Sequence, residues 1–181
     1  MDGMSAALGL GRGAEHVRSS SGSSLSAREA ASRPIGLSVL LQRDDGRVLL
    51  LRAVDGMDGG GRLAPPSGAA LCGESLVEAA LREVHARVGV VVDARWLEFC
   101  QLVDTLSGFG TPSLGVAFTA QRWHRDPYNR EPHRCARLVW VDPGAPPREC
   151  APHARSLLAG FVRGSLLATQ GYELNSWPGV H

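Results

Sequence analysis

GAALCGESLVEAALREVHARVGV, residues 68–90, is the stretch that decides the fold. Its second half predicts an amphipathic helix. Leu76, Ala80, Val84 and Val88 recur every four residues, with Val77 and Leu81 beside them, so one apolar stripe faces inward. Ser75 stands where a side-chain oxygen caps the first turn, and Glu78, three residues on, completes a capping box. Gly89 sits where a left-handed residue stops the helix. Glu83 points off the apolar stripe, and positions 86 and 87, three and four residues further on, share its face. Glu83 and Arg87 therefore read as an exposed i, i+4 ion pair worth a few tenths of a kcal/mol, or as a charged pair that meets a phosphate.

The spacing within the stretch carries a resemblance. Gly68 is followed after five residues by Glu74, after seven more by Arg82-Glu83-Val84, and the frame closes at Gly89-Val90. This resembles the Nudix box, in which Arg-Glu-aliphatic is followed, one residue on, by a Glu-Glu pair. Here that pair is Ala86-Arg87. The box implies three carboxylates on one helix face that gather divalent cations, magnesium or manganese, around a substrate diphosphate. Hard cations favour oxygen-rich clusters, and the metal would supply a nucleophilic water. One carboxylate of the three, Glu83, survives. Other acidic positions of the family are Leu71, three before Glu74, and Arg137, three before Trp140. The expected metal pocket has thus lost much of its negative charge, and weak metal binding is expected.

A second segment supports the resemblance. Asn129-Arg130-Glu131-Pro132-His133-Arg134-Cys135, leading into Leu138-Val139-Trp140, is similar to an Asn-x-Glu-Pro-x-basic-Cys stretch of some bacterial Nudix proteins. The family implies an α+β fold, an α-β-α sandwich with a mixed sheet. It also implies roles: Glu83 as the surviving metal ligand and catalytic residue, with the Ser67 carbonyl assisting the metal. Glu131 is a base or ligand from outside the box, and Arg52 and Arg87 reach substrate phosphates. Gly68, Glu74, Arg82 and Gly89 keep the motif's shape, with Glu74 orienting Arg82 or the loop. His85, beside Glu83, is a candidate replacement ligand or a solvated surface residue. Tyr128 and Trp123 are candidates for stacking a base, Trp123 otherwise for packing.

Outward from the box, Pro34 opens the ordered part. Residues 35–41 and 47–52 flank Asp44-Asp45-Gly46, which predicts a β-hairpin. The Gly- and Asp-rich stretch from Val54 to Gly61 predicts a surface loop, followed by a short strand at Arg62-Leu63-Ala64 and a stiff turn at Pro65-Pro66-Ser67-Gly68. Two alternating strands, Trp96 to Leu106 and Leu114 to Trp123, form a second hairpin through Ser107-Gly108-Phe109-Gly110. Leu138–Val141 reads as the final strand. Ala151–Leu167 reads as a second helix, with Ala154, Leu157, Leu158, Phe161, Leu166 and Leu167 inward. The division expected is a Ser/Gly-rich disordered arm over residues 1–33, one domain over 34–167, and a tail over 168–181.

Composition sets the remaining bounds. A chain of 181 residues, 44% apolar and 20% charged, can bury a normal single core. A net charge of +1 offers no general attraction to nucleic acid or to an acidic membrane. All 19 basic residues are Arg, a usage that fits a GC-rich genome such as that of an actinobacterium. Cys72, Cys100, Cys135 and Cys150 are widely spaced, which fits reduced thiols in a cytoplasm rather than zinc or a disulfide framework. No apolar run reaches the ~18 residues of a membrane span, and no secretory leader is apparent. The function expected is hydrolysis of a pyrophosphate bond in a nucleoside diphosphate linked to another group, at a weakened metal site. The alternative is a catalytically silent module that binds a nucleotide or phosphorylated metabolite. A homodimer is compatible with either.

Overall fold

The computed structural model describes residues 33–56, 60–106 and 110–172. The leading arm therefore lies outside the described residues up to residue 32, as do residues 57–59, 107–109 and 173–181. Eight strands, two α-helices and a short 3-10 turn make up the described chain. The strands are β1 (Ile35–Leu41), β2 (Val48–Ala53), β3 (Leu63–Ala64), β4 (Ser67–Ala69), β5 (Glu98–Leu106), β6 (Pro112–Ala120), β7 (Cys135–Val141) and β8 (Leu167–Gln170). The helices are α1 (Leu76–Val88) and α2 (Pro152–Arg163).

The strands form two sheets, a five-stranded one in the order β4-β1-β6-β5-β8 and a three-stranded one in the order β3-β2-β7. The larger sheet is mixed: β1 runs parallel to β6 and β5 parallel to β8, while β1–β4 and β5–β6 are antiparallel. Strand alternation sends side chains to two cores. Leu37, Val39 and Leu41 of β1 and Leu49 of β2 pack with Ala79, Ala80, Val84 and Val88 of α1. Leu40 of β1 and Val48 and Leu50 of β2 pack with Leu157 and Leu158 of α2. The continuous apolar run of β2 follows from burial on both faces. The α+β sandwich expected from the sequence is therefore present.

Helix α1 forms as its sequence dictates. Ser75 Oγ accepts from Glu78 N at 3.2 Å, Glu78 Oε2 accepts from Ser75 N at 2.9 Å, and Gly89 ends the helix at φ 72°. Such a cap stabilises by about 1 kcal/mol, and each fully buried Val by roughly 1.5–3 kcal/mol. The inward face differs in detail: Ala79 is buried while Val77 is exposed.

Four local expectations are corrected. The turn at Asp44–Gly46 exists, with Gly46 N donating to Arg43 O, but β1 and β2 part beyond the Gln42–Val48 bridge and join different sheets. Ser67 and Gly68 lie in β4, paired with β1, rather than in a turn. Helix α2 stops at Arg163 because Gly164 takes a left-handed conformation, φ 65°. Leu166 and Leu167 are consequently exposed, and β8 crosses the expected boundary between domain and tail. Among the described residues no helix is long and apolar enough to cross a membrane.

Candidate functional site

Gly68 and Glu83 meet where β4 passes over α1. A Cβ at position 68 would collide with the Glu83 carboxyl group, so only Gly lets the strand lie against it. The Glu83 side chain is 12% exposed. This corrects the expectation of an open helix face: the carboxylate is tucked under the strand, held between two arginines.

The first of these is Arg82, which fastens the box loop to the helix. Its Nε and Nη2 donate to Glu74 Oε1 and Oε2 at 2.7 and 2.8 Å, a bidentate pair. Nη2 also donates to Ala69 O at 2.9 Å, and Nη1 to Glu83 Oε1. Glu74 Oε2 additionally accepts from Leu71 N at 3.0 Å. Arg82, and after it the Leu71 amide, hold the Glu74 carboxyl at a pKa of about 2. Glu74 thus orients both Arg82 and the loop.

The second is Arg87. Its Nε donates to Glu83 Oε2 at 3.4 Å and its Nη1 to Glu131 Oε2 at 2.8 Å. The guanidinium therefore bridges a carboxylate of the box and a carboxylate 44 residues away in sequence. The segment that brings Glu131 there docks on the C-terminal turn of α1, whose last carbonyls lack helical partners. Tyr128 N donates to Val88 O at 2.9 Å, Arg130 N to Arg87 O at 3.2 Å and Arg130 Nη1 to His85 O at 3.1 Å. Asn129 closes the segment: its Nδ2 donates to Cys135 O at 2.7 Å, and its Oδ1 accepts from Glu131 N at 3.1 Å. Gly89 admits the Tyr128 ring, which a Cβ there would strike.

A divalent ion does not fit this donor set. Both Glu83 oxygens and Glu131 Oε2 accept from guanidinium groups, and Arg87 occupies the space between the two carboxylates. Magnesium requires oxygens at about 2.0–2.1 Å in near-octahedral geometry. Among the described residues no three His, Cys, Asp or Glu side chains come together as a metal site. The structure instead places a fixed monocation where two carboxylates converge.

Arg87 also faces a cleft of about 330 Å³, together with Ser67, Arg62, Arg134, Cys135 and His153. Among the described residues no Asp or Glu lines this cleft. Burial lowers the pKa of His153 and raises that of Cys135, so imidazole and thiol are both uncharged at neutral pH. Ser67 Oγ donates to Pro65 O at 2.7 Å.

The expected residues are therefore partly assembled. Ser67, Gly68, Glu74, Arg82, Glu83, Arg87 and Glu131 form one connected cluster beside the cleft. Arg52 stands apart: it is absent from the cleft lining and its Nη2 donates to Asp55 Oδ1 at 3.3 Å. His85 contributes Nδ1 to a contact with Val90 O at 3.2 Å and belongs to the helix end. Trp123 stacks on Trp140, ring centroids 6.2 Å apart, and Arg43 lies over the same Trp140 ring at 4.5 Å. Arg62 and Arg134 escaped the sequence reading. Arg134 was visible as the basic residue of the Asn129–Cys135 stretch, whereas Arg62 reaches the cleft only through the pairing of β3 with β2.

Comparison with known proteins identifies the family and the fold. The family profile described as NUDIX domain matches residues 32–161. A search of curated proteins returned no match. Among solved structures, a MutT NUDIX hydrolase from Burkholderia pseudomallei superposes with a TM-score of 0.62 at 22% identity, covering 71% of this chain and 97% of that one. The E. coli ORF135 protein gives 0.62 at 21% identity, covering 73% and 90%. A NUDIX hydrolase from Nitrosomonas europaea gives 0.60 at 19% identity, covering 82% and 98%. At these identities the structural likeness establishes the shared fold.

Proposed function

Since the chain belongs to the NUDIX domain family, we propose that it is a Nudix-type hydrolase of a pyrophosphate bond in a nucleoside diphosphate linked to another group. Its dependence on magnesium or manganese is weak. The observation that carries this reading is the Arg87 bridge between Glu83 and Glu131 at the edge of a cleft that no carboxylate lines among the described residues. Arg87, Arg62 and Arg134 bind and neutralise the phosphates, the electrostatic part of the catalysis. Glu83 and Arg82 position Arg87 and the loop. Glu131 keeps Oε1 clear of hydrogen bonds to the described residues and acts as general base. It takes a proton from water as the water oxygen attacks phosphorus and the bond to the bridging oxygen breaks.

A second reading follows from the same arginines. With Glu83 saturated by guanidinium groups, the protein binds a nucleotide or phosphorylated metabolite without hydrolysing it. A phosphate-release screen over nucleotides, nucleotide sugars and dinucleotides, with and without magnesium or manganese, separates the two. Turnover supports the enzyme, and saturable binding with no turnover on any substrate supports the silent module.

A further inference from the structure

We infer that the cleft is a metal-independent diphosphate site, in which Arg87 takes the place of a divalent ion and Arg62 and Arg134 complete the clamp. This rests on the phosphate-binding reading above and deepens it by naming how the phosphates are held.

Three observations carry the inference. First, the Arg87 guanidinium has five N–H groups. Its contacts with Glu83 and Glu131 use Nε and one Nη1 hydrogen, which leaves Nη2 and the other Nη1 hydrogen for a ligand. Its orientation is fixed before any ligand arrives, so little rotamer entropy is lost on binding. Second, Arg62 and Arg134 form no ion pair and no side-chain hydrogen bond with the described residues, although both line the cleft. The neighbouring arginines of the site, Arg82 and Arg87, by contrast each pair with two carboxylates. Two unengaged guanidinium groups beside a third, with no opposing carboxylate among the described lining residues, form a local excess of donors for an anion. Third, the cleft of about 330 Å³ exceeds the needs of two phosphoryl groups and leaves room for an attached group.

Charge bookkeeping explains why the Glu131 contact matters. Glu74, Arg82, Glu83, Arg87 and Glu131 alternate in sign along one chain of contacts and sum to −1. Arg62 and Arg134 bring the total to +1. Glu131 therefore competes with an incoming diphosphate for Arg87, and neutralising it strengthens binding.

The test is calorimetric titration of the full-length protein with inorganic pyrophosphate, in EDTA and in magnesium. Saturable one-to-one binding is expected in EDTA, with affinity within about threefold of that measured in magnesium. Arg62→Ala with Arg134→Ala, both at exposed positions, should weaken it at least tenfold. Glu131→Gln should tighten it several-fold, a response that a merely structural Arg87–Glu131 pair would not give. Binding that requires magnesium, or that is unchanged in the double variant, overturns the inference. The two readings fail separately: metal-free binding with no turnover removes only the hydrolase, and metal-dependent turnover with no binding in EDTA removes only the metal-free site.

Discussion

Arg87 and Glu131 are joined by a 2.8 Å contact from Nη1 to Oε2, and the same guanidinium reaches Glu83 at 3.4 Å on its other edge. One side chain thus ties the helix of the box to the loop before β7. The relationship is structural as well as chemical, because the three side chains are each less than a quarter exposed. Replacing Arg87 with Met leaves two half-screened carboxylates facing each other. We expect a loss of about 1–3 kcal/mol, below the cost of breaking a fully buried pair because solvent still reaches the site. Urea unfolding measures this, and an unchanged midpoint would show that the bridge adds nothing to stability.

Gly68→Ala tests the close approach of β4 to Glu83. The added methyl lands on the Glu83 carboxyl group, so either the strand or the side chain must move. A cost of about 1–3 kcal/mol is expected from overpacking. Because Glu83 holds Arg87, pyrophosphate binding should weaken in the same variant. Retention of wild-type stability together with wild-type binding would refute the steric account.

The acid limb of the stability curve should report Glu74. Its folded pKa of about 2 lies below the ordinary glutamate value of 4.5. Between these values the unfolded chain binds the proton and the folded chain does not, so stability rises with pH across that window. The contribution is complete above about pH 4.5 and is lost as the pH falls through about 2. Glu74→Gln should flatten this part of the profile while leaving the slope above pH 5 unaltered. An identical acid slope in the variant would assign the effect to other carboxylates.

How much of this could be read from the chain depends on whether the signal was local. The α1 boundaries followed from Ser75, Glu78 and Gly89, because capping is decided within a few residues. The shared face of Glu83 and Arg87 followed from helical spacing. What spacing could not supply was the strand above that face: Glu83 is sheltered because β4 crosses α1 at Gly68, a contact across 15 residues. For the same reason no local signal marks Arg62, and the turn at Asp44–Gly46 points to a β1–β2 pair although the sheet partners of β2 are β3 and β7. The phosphate role of Arg52 is an implication of the family resemblance, and in the structure its Nη2 donates to the loop carboxylate of Asp55. At the other end of the domain, Gly164 was a readable stop signal that the apolar Leu166-Leu167 pair concealed.

The double change Ala86→Glu with Arg87→Glu separates a decayed metal site from a repurposed one. Position 86 is exposed, Glu is a good helix former, and the new residues share the Glu83 face, so α1 should still form. Removing Arg87 frees Glu83 Oε2 and Glu131 Oε2, and the substitutions add two carboxylates beside them. Without metal the cluster repels itself, so the variant should unfold at lower urea concentration than the wild type. Magnesium should then restore stability in proportion to its binding, by RT ln(1 + [L]/Kd). Calorimetry should detect magnesium binding to the variant, and pyrophosphate should bind it only when magnesium is present. The wild type should show the opposite behaviour, with pyrophosphate binding in EDTA and a urea midpoint indifferent to magnesium. If the folded variant neither binds magnesium nor loses metal-free pyrophosphate binding, Arg87 is not the group that took the ion's place.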